Sequence, residues 1–132
     1  MNREIKFRGK GYSEWFYGYV QEYHEKFCKR ICVCPVSIRT WKDALMYEVK
    51  EETIGQFIGL HDKNGKEIYE GDILKADYYD TLHEVVFSDT VGAFMLDEIP
   101  STGDIVVIGY EDIVSHFEVI GNIYDNQDLL EG

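Results

Sequence analysis

TIGQFIGLHDKNGKEIYEGDIL, residues Thr53 to Leu74, is the stretch whose reading decides the fold. Ile54 to Leu60 is a strand-like run rich in β-branched and aromatic residues. Asp62-Lys63-Asn64-Gly65 ends it with the strongest turn signal in the chain. Asn-Gly supplies the positive-φ positions that a two-residue hairpin turn needs. Lys66 to Leu74 then returns as an alternating run, broken by Gly71-Asp72. A glycine inside a strand pattern marks a bulge or a close backbone approach, so Gly71 is expected to be one or the other.

Beyond this stretch, short alternating runs recur. Ile73 to Ala76 continues the strand, Tyr79-Asp80-Thr81 turns it, and Leu82 to Ser88 returns. Ser88-Asp89-Thr90 turns again into Ala93 to Leu96, and Pro100 to Gly103 reads as a loop. Asp104 to Tyr110 and Phe117 to Tyr124 are further strands, with a helical turn between them at Glu111 to His116. Asp125 is an N-cap for a last short turn, Asn126 to Leu130. Strands and turns at this spacing predict a small barrel.

Toward the N-terminus, Ile5 and Phe7 alternate with Lys6 and Arg8 and are closed by Gly9-Lys10-Gly11. Trp15 to Tyr23 is a longer strand. Phe16, Gly18 and Val20 share one face; Trp15, Tyr17, Tyr19 and Tyr23 share the other. His24-Glu25-Lys26 is the expected hairpin tip. Arg30 to Ile38 runs back, with Ile31 and Val33 on one side, Cys32 and Cys34 on the other, and Pro35 near the strand's end. Trp41, Ala44 and Leu45 mark one helical turn, Tyr47-Glu48-Val49 a brief strand, and Lys50-Glu51-Glu52 a charged link. The expected organisation is a β-hairpin or meander over residues 1–52, serving as an oligomerisation element, and a barrel over residues 53–132.

Composition bounds the function. The chain has 132 residues, enough to bury about two thirds of its surface. Thirteen Lys and Arg against 25 Asp and Glu leave a net charge of −12, which repels phosphate backbones and disfavours nucleic acid. A local basic patch can still form, for instance from Arg3, Lys6, Arg8 and Lys10. No apolar run approaches the ~20 residues that span a bilayer, and MNREIKFRGK lacks the apolar segment of a signal peptide. The expected location is therefore the cytoplasm, where three cysteines stay reduced.

The motifs point away from familiar chemistry. His24, Cys28, Cys32 and Cys34 are the only metal-like set, but H-x3-C-x3-C-x-C matches no common zinc spacing. An EF-hand register placed on Gly65 would put Leu60 first and Gly71 twelfth, neither a usable ligand. His24 to Cys28 ends in cysteine where a zinc protease helix needs histidine. His61, His83 and His116 are scattered, and among 25 acids a chance His–carboxylate pair is expected. No metal, cofactor or catalytic group is expected. The aromatic face Trp15, Tyr17, Tyr19 and Tyr23 reads as packing in the core or in a subunit interface, and the interface is slightly favoured because both faces of its strand are apolar.

Arg3-Glu4-Ile5-Lys6-Phe7-Arg8, Trp15-Phe16-Tyr17-Gly18, the block Glu52 to Leu60, the block Asp62 to Ile73, and Val119-Ile120-Gly121-Asn122-Ile123-Tyr124 followed by Leu129-Leu130 occur in that order. In this the chain resembles the YopX family of phage and prophage proteins over its full length. The resemblance implies a phage or prophage origin, an SH3-like β-barrel in the second half and a tendency to self-associate. It implies no catalytic residue. Gly59, Asp62, Asn64, Gly65, Gly71 and Gly121 belong to the shared blocks as structural positions. Tyr69 and Asp72 are candidates to line a groove beside the barrel. The functional expectation is a non-enzymatic accessory protein that forms a homo-oligomer and binds a host or phage protein. The alternative is a nucleic-acid-binding regulator using the barrel or the basic N-terminal strand.

Overall fold

The structure, a computed structural model, describes residues 4–35, 38, 40–78, 80–101, 105–107 and 110–131. Arg3, Tyr79 and part of the loop expected after Pro100 lie outside the described residues. The chain divides into two compact units, Met1–Phe57 and Ile58–Gly132, and passes from one to the other inside a strand.

The first unit is built on β1 (Phe7–Lys10), β2 (Trp15–Glu25) and β3 (Cys28–Cys34). The opening residues of β4 (Gly55–His61) complete it, giving the antiparallel order β3-β2-β1-β4. Period-2 alternation sorts its side chains as expected. Ile31 and Val33 pack with Val49, Phe16 and Ile54; Cys32 and Cys34 pack on the other face with Ala44, Tyr23, Leu45 and Tyr47. Gly18 is required where β2 passes β3. A Cβ there would lie 2.0 Å from the Cys34 carbonyl oxygen, at φ +148°.

Helix α1 (Trp41–Ala44) begins at Thr40, whose Oγ1 accepts from the Asp43 amide at 3.3 Å. A 3-10 turn, Leu45–Tyr47, follows. The brief strand expected at Tyr47-Glu48-Val49 is not formed. Tyr47 closes the 3-10 turn, and only a single bridge joins Glu48 to Cys32. The hairpin tip also falls later than expected, at Lys26-Phe27 between the paired Glu25 and Cys28.

In the second unit β5 (Glu67–Tyr69) follows β4, and β6 (Asp72–Ala76), β7 (Leu82–Ser88), β8 (Ala93–Ile99), β9 (Ile105–Val107) and β10 (Phe117–Asn122) form an antiparallel sheet. Its order is β10-β6-β7-β8-β9. Helix α2 (Tyr110–His116) leads into β10, and a 3-10 turn, Gln127–Glu131, follows it. Ile68, Leu74, Ala76, Val85, Leu96, Ile113, Phe117 and Val119 form the core, with Ile58 and Leu60 against it. The mainly β class is as expected, but the SH3-like barrel is not confirmed. Among the described residues the sheet ends at β10 and β9 without closing.

The Asp62–Gly65 turn forms, with a difference. Gly65 has φ +82°, and among the described residues no non-glycine residue has positive φ, so Asn64 does not take the left-handed role expected of it. Gly65 N–H donates to the Asp62 carbonyl at 2.9 Å instead. Gly71 is the turn between β5 and β6, at φ +93°, rather than a bulge. The bulge is in β10, where the register shifts between Val119 and Gly121. Gly59, one of the shared structural positions, lies within β4 at φ +92°.

Candidate interaction surface

The register of β1 on β2 pairs Arg8 with Tyr17 and Lys10 with Trp15. Directly opposed residues share a face, so the cations of β1 and the aromatic face of β2 lie together. The Arg8 guanidinium sits 4.7 Å from the Trp15 ring centroid and Lys10 Nζ 6.0 Å from it, while Lys6 Nζ lies 5.2 Å from the Phe57 ring. Arg8 is only 5% exposed and Lys6 pairs with Glu4 at 3.2 Å. These cations are engaged in packing, which leaves little of the basic patch open to a phosphate backbone.

Further along β2, Tyr17, Tyr19 and Val20 are exposed. Tyr23 instead packs in the Cys32–Cys34 cluster and donates its hydroxyl hydrogen to Gln21. Two ion pairs, Glu22–Lys29 and Glu25–Arg30, cross the strands of the distal hairpin. Glu22 meets His24 at 3.5 Å and Lys29 at 3.4 Å, and Arg30 meets Glu25 at 3.5 Å and Glu48 at 3.1 Å. Hydrogen bonds to Glu51 and Glu22 raise the Lys29 pKa. At the tip Phe27 is 91% exposed, with Lys26 Nζ 5.6 Å from its ring centroid.

An open cleft of about 550 Å³ lies in the same unit, lined by Tyr12, Glu14, Phe16, Met46, Glu48 and Lys50 among others. Tyr12 is 100% and Met46 75% exposed on it. Sequence reading missed this cleft. Tyr12 and Met46 sit in irregular segments where periodicity carries no signal, and their exposure depends on where the chain turns.

Tyr69 and Asp72, expected at a surface groove, are core residues at 2% and 1% exposure. Asp72 Oδ2 accepts from the Tyr69 amide at 2.8 Å across the Gly71 turn, and the Tyr69 hydroxyl donates to Glu67 at 3.0 Å. The pair closes a tight turn: Gly71 N–H donates to Val85 O, and Ile123 N–H to Gly71 O, both at 2.9 Å. Asp62 is likewise buried and has a larger part than its sequence position announces. Oδ1 accepts from the amides of Asn64 and Lys66, and Oδ2 from that of Val119, all at 2.9 Å. Gly121 faces Asn126, whose Oδ1 would lie 2.5 Å from an added Cβ.

The metal-like set is dispersed by burial. Cys32 and Cys34 are buried, Cys28 and His24 exposed, and among the described residues no cluster of three or more His, Cys, Asp or Glu has metal-binding geometry. Burial first, then the neighbouring Cys34 thiol, pushes the Cys32 thiol up to about 11, so it is a neutral core group at neutral pH. Of the scattered histidines, His116 Nδ1 contacts Asp77 at 3.2 Å in an exposed pair, edge-on to Tyr78. His83 is buried beside the Phe117 ring, and burial lowers its pKa. On the opposite face of β7, burial, then Asp97 and Glu70, raises the Glu84 pKa; Glu84 and Asp97 are directly paired between β7 and β8.

A family model described as YopX protein matches residues 6–131. Among solved structures, the chain is similar to the crystal structure of protein EF1440 from Enterococcus faecalis. The identity is 26%, covering 98% of this chain and 100% of that one, with a TM-score of 0.57. No curated protein matches. Among the described residues no helix is long and apolar enough to cross a membrane.

Proposed function

We propose, for a chain that belongs to the YopX family, a phage- or prophage-encoded accessory protein that acts by binding proteins, itself included, rather than by catalysis. One observation carries this reading: large apolar side chains stand in solvent on the hairpin and cleft of the first unit. Tyr17, Tyr19, Val20 and Phe27 are exposed on the hairpin, Tyr12 and Met46 on the cleft. Exposed apolar groups gathered on one element mark interaction sites, and tyrosine and methionine are enriched in interfaces. The net charge of −12 favours a partner with a cationic surface. The acidic patterning of the hairpin, where Lys29 and Arg30 each meet two carboxylates, agrees with this.

Size-exclusion chromatography with light scattering tests the assembly. The expected mass is a multiple of the 15.4 kDa chain at micromolar concentration, and a Phe27→Ser, Met46→Ser double variant is expected to bind a basic partner protein more weakly while retaining its fold. A monomer at every concentration, with binding untouched by both substitutions, would remove the reading.

A further inference from the structure

Asn64-Gly65 is the one Asn-Gly pair in the chain; Asn2, Asn122 and Asn126 precede Arg3, Ile123 and Gln127. Asparagine is thermolabile, because its side-chain amide is open to attack by the next backbone nitrogen. A side chain on the following residue shields that nitrogen, and glycine has none. Both residues are exposed here, and nothing lies within 4 Å of the place a Gly65 Cβ would take. Sterically the pair is free to react.

The fold engages both reacting groups elsewhere. Gly65 N–H, which carries the attacking nitrogen, donates to the Asp62 carbonyl at 2.9 Å. Asn64 Nδ2 donates to Glu118 Oε2 at 3.1 Å, which draws the side-chain amide toward β10. Asp62 Oδ1 accepts from the amides of Asn64 and Lys66, on either side of Gly65, both at 2.9 Å. The nitrogen must lose its proton before it attacks, so its bond to Asp62 has to open first, as it does for amide hydrogen exchange. We propose that Asn64 is a site of spontaneous deamidation, gated by opening of the Asp62–Gly65 turn. The Gly65 nitrogen forms a bond to the Asn64 side-chain carbonyl carbon, the bond from that carbon to Nδ2 breaks, and ammonia leaves with the proton that the nitrogen gave up. Water then opens the five-membered imide at one carbonyl or the other, giving aspartate or β-linked isoaspartate at position 64.

The product alters the turn that gates its formation. Aspartate sets a carboxylate against Glu118 where an amide donated, and the two like charges repel. Isoaspartate adds one carbon to the main chain between the two amides that Asp62 Oδ1 holds. Either change strains the hold of a carboxylate whose other oxygen accepts from Val119 in β10. Each reaction is one-way, so the modified fraction records how often the turn has opened.

Peptide mapping by mass spectrometry on the full chain, held at neutral pH, tests this. The deamidated product, a one-dalton gain, is expected at Asn64 and, over the same interval, not at Asn122 or Asn126. Its rate in native buffer is expected to be at least about tenfold below its rate in concentrated urea, since only the open fraction reacts. Asp62→Ala removes the carboxylate that holds the turn and is expected to raise the native rate by roughly fivefold while leaving the urea rate unchanged. Far-UV circular dichroism establishes that this variant is folded; if it is not, the two wild-type rates decide alone. Asn64→Asp is expected to lower the thermal midpoint, and adding Glu118→Gln to recover most of that loss. Product that forms as fast in native buffer as in urea overturns the gating. No product at Asn64 in urea, or earlier product at Asn122 or Asn126, overturns the site.

Discussion

Asp62 shows how much one side chain can organise. It sits at the end of β4, 4% exposed, and its two oxygens hold three amides from two places in the chain. Two of those amides belong to its own turn and one to β10, 57 residues away. An alanine there leaves buried donors unsatisfied, which costs more than the bonds themselves contribute. Asp62→Ala is therefore expected to lower unfolding stability by about 3 kcal/mol, read from the urea midpoint at constant slope. Asp62→Asn keeps a carbonyl oxygen and is expected to lose less. Gly65 is a milder case. Open space surrounds the position, so only the cost of φ +82° opposes a side chain there.

At the scale of the element, β7 places adjacent titratable residues on opposite faces. His83 points to the core beside Phe117, while Glu84 lies opposite Asp97 on the other face. Burial lowers the His83 pKa below 6.5, so the unfolded chain binds the proton first as pH falls. Its contribution is fully present above pH 6.5 and is lost as pH falls through the folded value. Glu84 runs the other way. Its folded pKa is raised above 4.5, so the folded protein holds the proton longer, and stability falls as pH rises from 4.5 through the folded value. Glu84→Gln is expected to raise the urea midpoint at pH 7 and to leave it unchanged below pH 4.5. His83→Gln is expected to flatten the loss below pH 6.5. Urea midpoints measured across pH for the three proteins check both slopes.

Over the whole molecule, charge decides among classes of partner. With 13 cations against 25 carboxylates, and Arg8 and Lys10 packed over Trp15, the field around the protein is unfavourable to phosphate. No binding to duplex DNA or to RNA is expected even at low salt, where phosphate contacts are strongest. Fluorescence anisotropy over a salt titration checks this. Affinity that appears at low salt and declines steeply with added salt would instead favour the nucleic-acid alternative.

Much of the local structure was legible because it obeys short-range rules. Alternation separated Ile31 and Val33 from Cys32 and Cys34, and the structure places them in different clusters. Pro35 ended β3, Trp41 and Ala44 marked a helical turn, and Leu82 to Ser88 is β7 as bounded in advance. Errors arose where local cues were ambiguous. Asn-Gly suggested a two-residue hairpin turn, but the Asp62 carboxylate binds two amides of the turn and favours a longer loop. Tyr47 to Val49 has a strand's composition but only one residue's worth of pairing partner in Cys32.

By itself the sequence determined the β class, the faces of β2 and β3, the turn at Asp62 to Gly65 and the family. Each depends on residues close in the chain, or on long ungapped blocks. Only the tertiary structure decided that the second unit's sheet ends at β10 and β9 among the described residues, that β10 lies beside β6, and that Tyr69 and Asp72 are buried. It also decided that β1 begins at Phe7, opposite Gly18 of β2. Strand neighbours and burial are set by pairings between residues far apart in sequence. The period-2 pattern says which face a side chain takes, but not which strand, or whether any strand, lies alongside.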